Sequence, residues 1–456
     1  MRRLAPALLA IALAGCAGVR PEPPKAATVQ APGQWRTLGA PGDVAIDAAW
    51  WTAFGDPALT QAVETALAHN TDVAIAAARV EEARAQFRLA EAQRLPNVAG
   101  AAGGGRQRDV SPFGTPREQT AGQAQVSAAY DLDLFGRLAA SSGAARASLL
   151  ATEAARESVR LAVASAAASG YISLRALDAR LVVLRSTLQA REESMRLTRR
   201  RADTGYSPRL EAQQAEAEYH ATEQLIPATE AAIARQENGL AVLLGDSPRA
   251  ILRGRELAEL SPPAVPAGLP AALLRRRPDL AQAEQQLVAA DRSLDAARAA
   301  FMPNIQLTAS GGVVDSNLLT DPIKVFAIGG SALTPILDSG RLKAQQSAAA
   351  ARRDQAAFAY RRAALTAFRE VDDALTIETH AARQEAALEA QRDVLASALV
   401  LATNRYKAGY APYIEKLDAQ RSLLAADLQI VQVQADRLNA AVVLYQALGG
   451  GFAPGD

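Results

Sequence analysis

Few side chains in this chain are placed to do covalent chemistry. The three histidines, His69, His220 and His380, are scattered over 456 residues. No Ser/His/Asp set, nucleophile elbow, phosphate loop or metal-ligand spacing accompanies them. The three methionines are isolated, so no methionine relay for a soft metal is signalled. Cys16 is the one cysteine, which excludes an internal disulfide. What remains is charge and shape. Ile414 and Asp418 lie four residues apart and share a helix face beside a Gly-Tyr turn. These residues point to a non-enzyme with no resident cofactor or metal, and its elements must explain what it does.

The elements are used twice. Pro96-Asn97 matches Pro303-Asn304 and Asp72 matches Asp279, each offset by 207. Gly136-Arg137-Leu138 matches Gly340-Arg341-Leu342, and Leu244-Gly245 matches Leu448-Gly449, each offset by 204. Arg201, Gly205, Tyr206 and Pro208 match Arg405, Gly409, Tyr410 and Pro412 at the same offset. A constant period means one structural unit built twice, with three residues lost between Asn304 and Gly340. The repeats span 57–245 and 271–449, joined by a Pro-rich linker at 246–270 and followed by a flexible tail at 450–456. Duplication suggests a pseudo-symmetric ring rather than an enzyme cleft.

Each repeat carries a pair of strands. In Gln123–Leu134, Ala124, Val126, Ala128, Tyr130, Leu132 and Leu134 alternate with Gln125, Ser127, Ala129, Asp131 and Asp133. In Asn304–Val313, Ile305, Leu307, Ala309 and Val313 alternate with Asn304, Gln306, Thr308 and Ser310. A period of two predicts strands with one apolar and one polar face. Their partners are weaker: Asn97–Arg106 is rich in Gly and Ala, and Val325–Leu333 has an ambiguous phase. The hairpins span about 97–134 and 304–335, with Gln107–Gly122 and Asp315–Lys324 as exposed loops. Ten residues suit a tilted membrane strand, although a soluble β-layer with one wet face has the same pattern. Four strands cannot close a barrel and lipid does not tolerate open edges, so several subunits must share one.

Helices are predicted at about 57–95, 137–203, 209–244, 271–302, 341–403 and 413–448. The second would be about 100 Å long and the third roughly half that. The lengths predict a tall helical wall whose waist carries the linker. Leu174, Leu177, Leu181, Leu184 and Leu188 keep the 3.5-residue spacing of a left-handed coiled-coil seam. No later apolar run is long enough for a membrane helix, so a span must be made of strands. The net charge of +1 implies no nucleic-acid partner.

Met1-Arg2-Arg3 and the apolar stretch Leu4–Ala14 precede Leu13-Ala14-Gly15-Cys16, which resembles the lipobox of bacterial lipoproteins. The resemblance implies a signal peptide at 1–15, cleavage before Cys16, diacylglycerol on its thiol, and a lipidated segment at 16–56. Ala17, where an Asp would retain a lipoprotein, implies transfer to the outer membrane.

A second resemblance covers nearly the whole mature chain. It rests on the ordered set Trp51-Thr52-Ala53-Phe54-Gly55-Asp56-Pro57-Ala58-Leu59, Leu95-Pro96-Asn97 and Asp131-Leu132-Asp133-Leu134-Phe135-Gly136-Arg137. Arg275-Arg276-Arg277-Pro278-Asp279-Leu280, Arg405-Tyr406-Lys407-Ala408-Gly409-Tyr410, Leu417-Asp418-Ala419-Gln420-Arg421-Ser422-Leu423 and Leu444-Tyr445-Gln446-Ala447-Leu448-Gly449-Gly450-Gly451 complete it. Together they resemble the TolC-like outer membrane efflux proteins, in the lipoprotein branch of NodT type that serves resistance-nodulation-division pumps. The fold class expected is mainly α with a membrane β-barrel contribution. Four strands per chain would enter a shared trimeric barrel of twelve, above long coiled-coil helices forming a periplasmic α-barrel. The expected partners are two further copies, a periplasmic adaptor, an inner-membrane transporter and outer membrane lipid. The location implied is the outer membrane of a Gram-negative bacterium.

The family implies that the turns dock the adaptor through Arg201, Gly205, Tyr206, Ser207, Arg405, Gly409 and Tyr410. Both arginines also sit where a cation favours a helix C-terminus, which needs no partner. The positions of Ile414 and Asp418 match an apolar and an acidic ring that constrict the closed pore, the apolar one excluding water. Asp131 and Asp133 either line the barrel lumen or are polar residues near a strand end. A type I protein-secretion channel and a coiled-coil spacer lipoprotein are the competing expectations.

Overall fold

The computed structural model describes residues 21–36, 46–261, 263 and 270–452. Cys16 and the signal segment lie outside the described residues. The chain divides into two compact units.

The first unit comprises 78–153 and 282–362 with the N-terminal stretch to 29. It holds β1 (Asn97–Val110), β2 (Pro116–Asp131), β3 (Asn304–Ser316) and β4 (Ile323–Leu333) in one antiparallel sheet, in chain order. The strands are longer than expected. Gln107–Val110 and Pro116–Gly122 are paired rather than looped, because Arg106↔Thr120 through Val110↔Pro116 continue the ladder. Only 111–115 turn the first hairpin, where Gly114 has φ +78° and Ser111 and Thr115 hydroxyls lie 2.6 Å apart.

Residues directly opposite one another share a face, so the register sorts the side chains. Val98, Ala128, Ala309 and Ile328 form one row, and Gly100, Val126, Gly311 and Phe326 the next. The other face carries Ala99, Ser127, Ser310 and Ala327, then Ala101, Gln125, Gly312 and Val325. Pairing thus settles the phase of β4: Phe326 and Ile328 join the apolar face. Gly312 is required by close approach, since a Cβ there would lie 2.2 Å from the Ala124 carbonyl oxygen.

The second unit comprises 30–77, 154–281 and 363–456. The first expected helix is two, α1 (Pro57–His69) and α2 (Thr71–Ala92). Asn70 breaks it: its backbone is extended, and its Oδ1 accepts from the Asp72 and Val73 amides as the cap of α2. The long helices α3 (Arg137–Asp203) and α8 (Arg341–Lys407) each run 67 residues and pass from one unit into the other. The helix expected at 209–244 is α4 (Arg209–Glu223) and α5 (Leu225–Leu243). Pro227 lacks an amide hydrogen and its ring crowds the Glu223 carbonyl, which explains the interruption. The helix expected at 271–302 is a short α6 (Pro270–Leu273), then α7 (Pro278–Ala299) opened by its proline. The last is α9 (Tyr413–Ala447). No helix of the described residues is long and apolar enough to cross a membrane. Along the expected seam, Leu174 and Leu184 are buried within the protomer while Leu177, Leu181 and Leu188 are half-buried.

The duplication is visible at atomic scale. After α5, Gly245 (φ +79°) closes the helix, and an added Cβ would lie 2.3 Å from the His69 carbonyl oxygen. After α9, Gly449 (φ +94°) does the same, at 1.9 Å from the Arg276 carbonyl oxygen. The next residue differs in chemistry but makes the equivalent bond. Asn70 Nδ2 donates to the Leu243 carbonyl at 2.9 Å, and Arg277 Nη1 donates to the Ala447 carbonyl at 2.9 Å. Arg277, buried, also pairs with Asp279 and Glu370, and these carboxylates hold its pKa above the ordinary value against the opposing effect of burial.

Of the tail expected to be flexible at 450–456, residues 450–452 are described and are held in place. Gly450 lies against Leu161 and Trp50, and the Phe452 amide donates to Gly449. Trp50 stacks on Tyr445 with ring centroids 5.0 Å apart.

Gly449→Ala and Gly409→Ala separate two costs. At Gly409 (φ +81°) a Cβ meets nothing within 4 Å, so only backbone strain of about 1–2 kcal/mol applies. Gly449→Ala adds the collision with Arg276 and lowers the unfolding midpoint well beyond Gly409→Ala. Equal shifts in parallel thermal melts would contradict the close packing of these helix ends.

Candidate functional site

Two turns and the helices around them form the candidate site, all within the second unit. Both turns close helices in the same way. At the end of α3 the Tyr206 amide donates to the Arg201 carbonyl (2.8 Å) and Gly205 (φ +75°) donates to Ala202. At the end of α8 the Tyr410 amide donates to the Arg405 carbonyl (2.9 Å) and Gly409 donates to Tyr406. This pairing of bonds across a left-handed glycine satisfies the last carbonyls of each helix. Gly205, Gly409, Tyr206 and Tyr410 are exposed, the two rings at 73% and 82%. Ser207 Oγ is buried without a hydrogen-bond partner among the described residues. Arg201 lies over both Tyr206 (5.3 Å) and Tyr406 (5.1 Å), joining the two turns, whereas Arg405 sits 3.5 Å from Glu415.

Sequence reasoning missed what lies behind the turns. Tyr406, Tyr413, Leu417 and Ala215 form a buried cluster with Met195 against it. The rings of Tyr406 and Tyr413 meet edge-on at 5.4 Å. Tyr406 donates to Glu211 at 2.8 Å. Lys416 is buried with them, its Nζ donating to Ser194 Oγ at 2.8 Å and lying about 6 Å from both rings. Burial lowers its pKa, and Lys407 and Arg201 add to the effect. The clue in the sequence was the Tyr406/Tyr413 pair, seven residues apart across the second turn.

A second layer holds the candidate gate. Buried Arg191 of α3 donates to Thr222 Oγ1 at 2.6 Å and to the Glu218 carbonyl at 2.9 Å, and pairs with the Glu218 carboxylate at 2.8 Å. Glu218 also takes Arg421 of α9, whose Nε is 2.9 Å away. Arg421 Nη1 lies 3.9 Å from Asp418. Asp418 is 67% exposed and Ile414 41%, so both expected gate residues face outward from the protomer beside its tip.

Asp131 and Asp133 have local partners at the end of β2. Asp131 ends β2, pairs with Arg137 at 3.2 Å and accepts from the Asp133 amide. Asp133 follows the strand with φ +44°, and its carboxylate accepts from the Leu138 and Ala139 amides. It caps α3, where an anion meets unpaired amides and the positive dipole end. Asp338 does the same for α8 through Gly340 and Leu342. Asp56 is equally structural: buried, it accepts from Ala58, Tyr171 and Arg255.

A duplicated chain that joins a four-stranded, two-faced sheet to a pair of 67-residue helices is a TolC-like channel protomer. The profile of the family described as outer membrane efflux protein matches residues 62–246 and 269–450. The solvent efflux pump outer membrane protein SrpC of Pseudomonas putida is 36% identical, over 98% of each chain. The probable outer membrane lipoprotein SilC of Salmonella typhimurium is 33% identical, over 96% of each. The crystallised channel CusC superposes with a TM-score of 0.83 at 30% identity, covering 94% of this chain and 99% of its own. The chain belongs to the outer membrane efflux protein family.

Burial pushes three tyrosines up to about 12: Tyr171, Tyr406 with help from Glu211, and Tyr413 with help from Glu218. Below pH 10 these groups are neutral in both folded and unfolded chains. Between 10 and about 12 only the unfolded chain ionises, so stability falls as pH rises through that window. In a near-ultraviolet alkaline titration, tyrosinate absorbance should lag until about pH 12, and the melting temperature should drop across the same interval. Ionisation of all nine tyrosines together near their ordinary value would contradict the buried tip cluster.

Proposed function

We propose that three copies of this chain close a twelve-stranded outer membrane barrel continued by their helices into a periplasmic tunnel. Through it small molecules would pass passively outward, delivered by an inner-membrane transporter of the resistance-nodulation-division class and a periplasmic adaptor. One observation carries the reading. The sheet has β1 and β4 at its two edges, with no partner strand beyond them among the described residues, and an apolar face holding Val98, Val126, Phe326 and Ile328. In lipid every edge amide must be paired, and copies of the same sheet supply the pairing.

The exported class is small apolar or amphiphilic compounds, in keeping with relatives named for solvent, toluene and antibiotic efflux. Cys16 would carry the lipid anchor, as the relative named a lipoprotein suggests. The exposed Tyr206 and Tyr410 with their glycine turns suit helical docking by an adaptor. Threefold symmetry would gather three Ile414 side chains and three Asp418 carboxylates into neighbouring rings around the tunnel.

Asp418→Ala should raise single-channel conductance of the purified protein in planar bilayers, because it removes one constricting ring. Unchanged conductance removes Asp418 from the gate. A solubilised protein that stays monomeric and non-conducting overturns the whole reading.

A further inference from the structure

Charge in this chain is not spread evenly. Within seven residues of Gly205 or Gly409 stand seven Lys and Arg side chains and only three carboxylates, Asp203, Glu211 and Glu415. Widening both windows to nine residues adds Arg196 and Asp418, which leaves the positive surplus unchanged. The whole chain carries +1, so the positive surplus lies at its two turns and the remainder is negative.

Local pairing does not remove this surplus. Glu415 is met by Arg405, and Glu211 accepts from the Tyr406 hydroxyl. Arg201 lies over the Tyr206 and Tyr406 rings, a contact that leaves its charge in place. Arg200, Arg209 and Lys407 are exposed and have no carboxylate partner among the described residues. The Asp418 carboxylate has the opposite sign, but Arg421 stands 3.9 Å away.

The polar face of the sheet supplies no opposing filter. From Asn97, Ala129 and Thr308 to Gln107 and Gln119, its rows hold amides, hydroxyls and apolar residues without a charged side chain. Beyond them Asp109 and Arg117 lie directly opposite one another, and at the other end Asp131 is paired with Arg137.

We infer that the tips form an electropositive mouth to the tunnel, and that within the amphiphilic class proposed above it favours anionic cargo bearing a carboxylate, sulfonate or phosphate. The inference rests on the shared tunnel of the preceding section. Three tips around one axis multiply the surplus, and a mouth lined by one sign of charge raises the local concentration of the opposite ion. Seven residues of helix rise about 10 Å, which is about the screening length at 0.1 M salt, so these charges act on the mouth together.

The test is the reversal potential of the purified full-length protein in a planar bilayer under a gradient of dilute KCl. It should take the sign of chloride permeation, and sodium hexanesulfonate in place of KCl should give the same sign. Arg200→Gln combined with Lys407→Gln should move the potential towards zero, and Arg200→Glu with Lys407→Glu should reverse it. Arg209→Gln, across the first turn, should act independently in the same direction as the glutamine pair. In about 1 M salt, where screening shortens to about 3 Å, the preference should vanish. Cation preference in the unaltered protein, exclusion of hexanesulfonate, or a potential indifferent to these substitutions would overturn the inference. In each of those cases the protein still conducts and the tunnel stands. A monomeric protein that opens no channel defeats the tunnel itself, and this inference with it.

Discussion

An unpaired backbone amide in hydrocarbon costs several kcal/mol, and a four-stranded sheet has two rows of them. The sheet of this chain ends in β1 on one side and β4 on the other. β1 is among the strands least defended by side chains, with Gly100, Gly103, Gly104 and Gly105 leaving its backbone open. In water such an edge invites aggregation. In lipid it requires a further strand. The apolar face makes water the poorer solvent for this sheet, and the edges make a lone copy the poorer solution in lipid. Both pressures favour the association of like chains proposed above.

The same economy shapes the helices. Duplication provides two helix ends, closed by Gly245 and by Gly449, each pressed against a carbonyl near the start of its own repeat. That geometry tolerates no side chain at either glycine. It does tolerate different neighbours: Asn70 in one copy and Arg277 in the other deliver a donor to the same kind of carbonyl. The geometry persists while the chemistry drifts, as expected where backbone approach is the constraint and the hydrogen bond can be met in more than one way. Arg277 then gains two carboxylate partners that Asn70 has no need of.

How much of this was legible depended on whether a residue acts through a period or through a neighbour far away in sequence. The strands β2 and β3 were readable because alternation records which face is apolar. β4 was not, since Val325, Phe326 and Ile328 fit two phases, and only pairing with β3 chose one. The long helices and the two turns followed from the repeat and from glycine at each end. The break at Asn70 and the cap at Asp133 were missed for one reason: both are short polar side chains that bond to backbone amides two to six residues on. Asn-Thr-Asp at 70–72 and Asp-x-x-Gly-Arg at 133–137 carry that signal, and helix-start rules could have found it. Lys416 could not have been found, because a lysine between Glu415 and Leu417 reads as solvated until α3 is seen beside it.

Lys416 also bears on how the tip is held. A buried ammonium with no carboxylate partner among the described residues is costly, and one hydroxyl with two ring faces compensates only in part. One layer further, Arg191, Glu218 and Arg421 form a nearly complete set of partners linking α3, α4 and α9. The tip therefore combines a well-satisfied clamp with a neighbouring cluster whose charge is poorly compensated. A segment stabilised in this uneven way can separate at the cluster while the clamp stays closed.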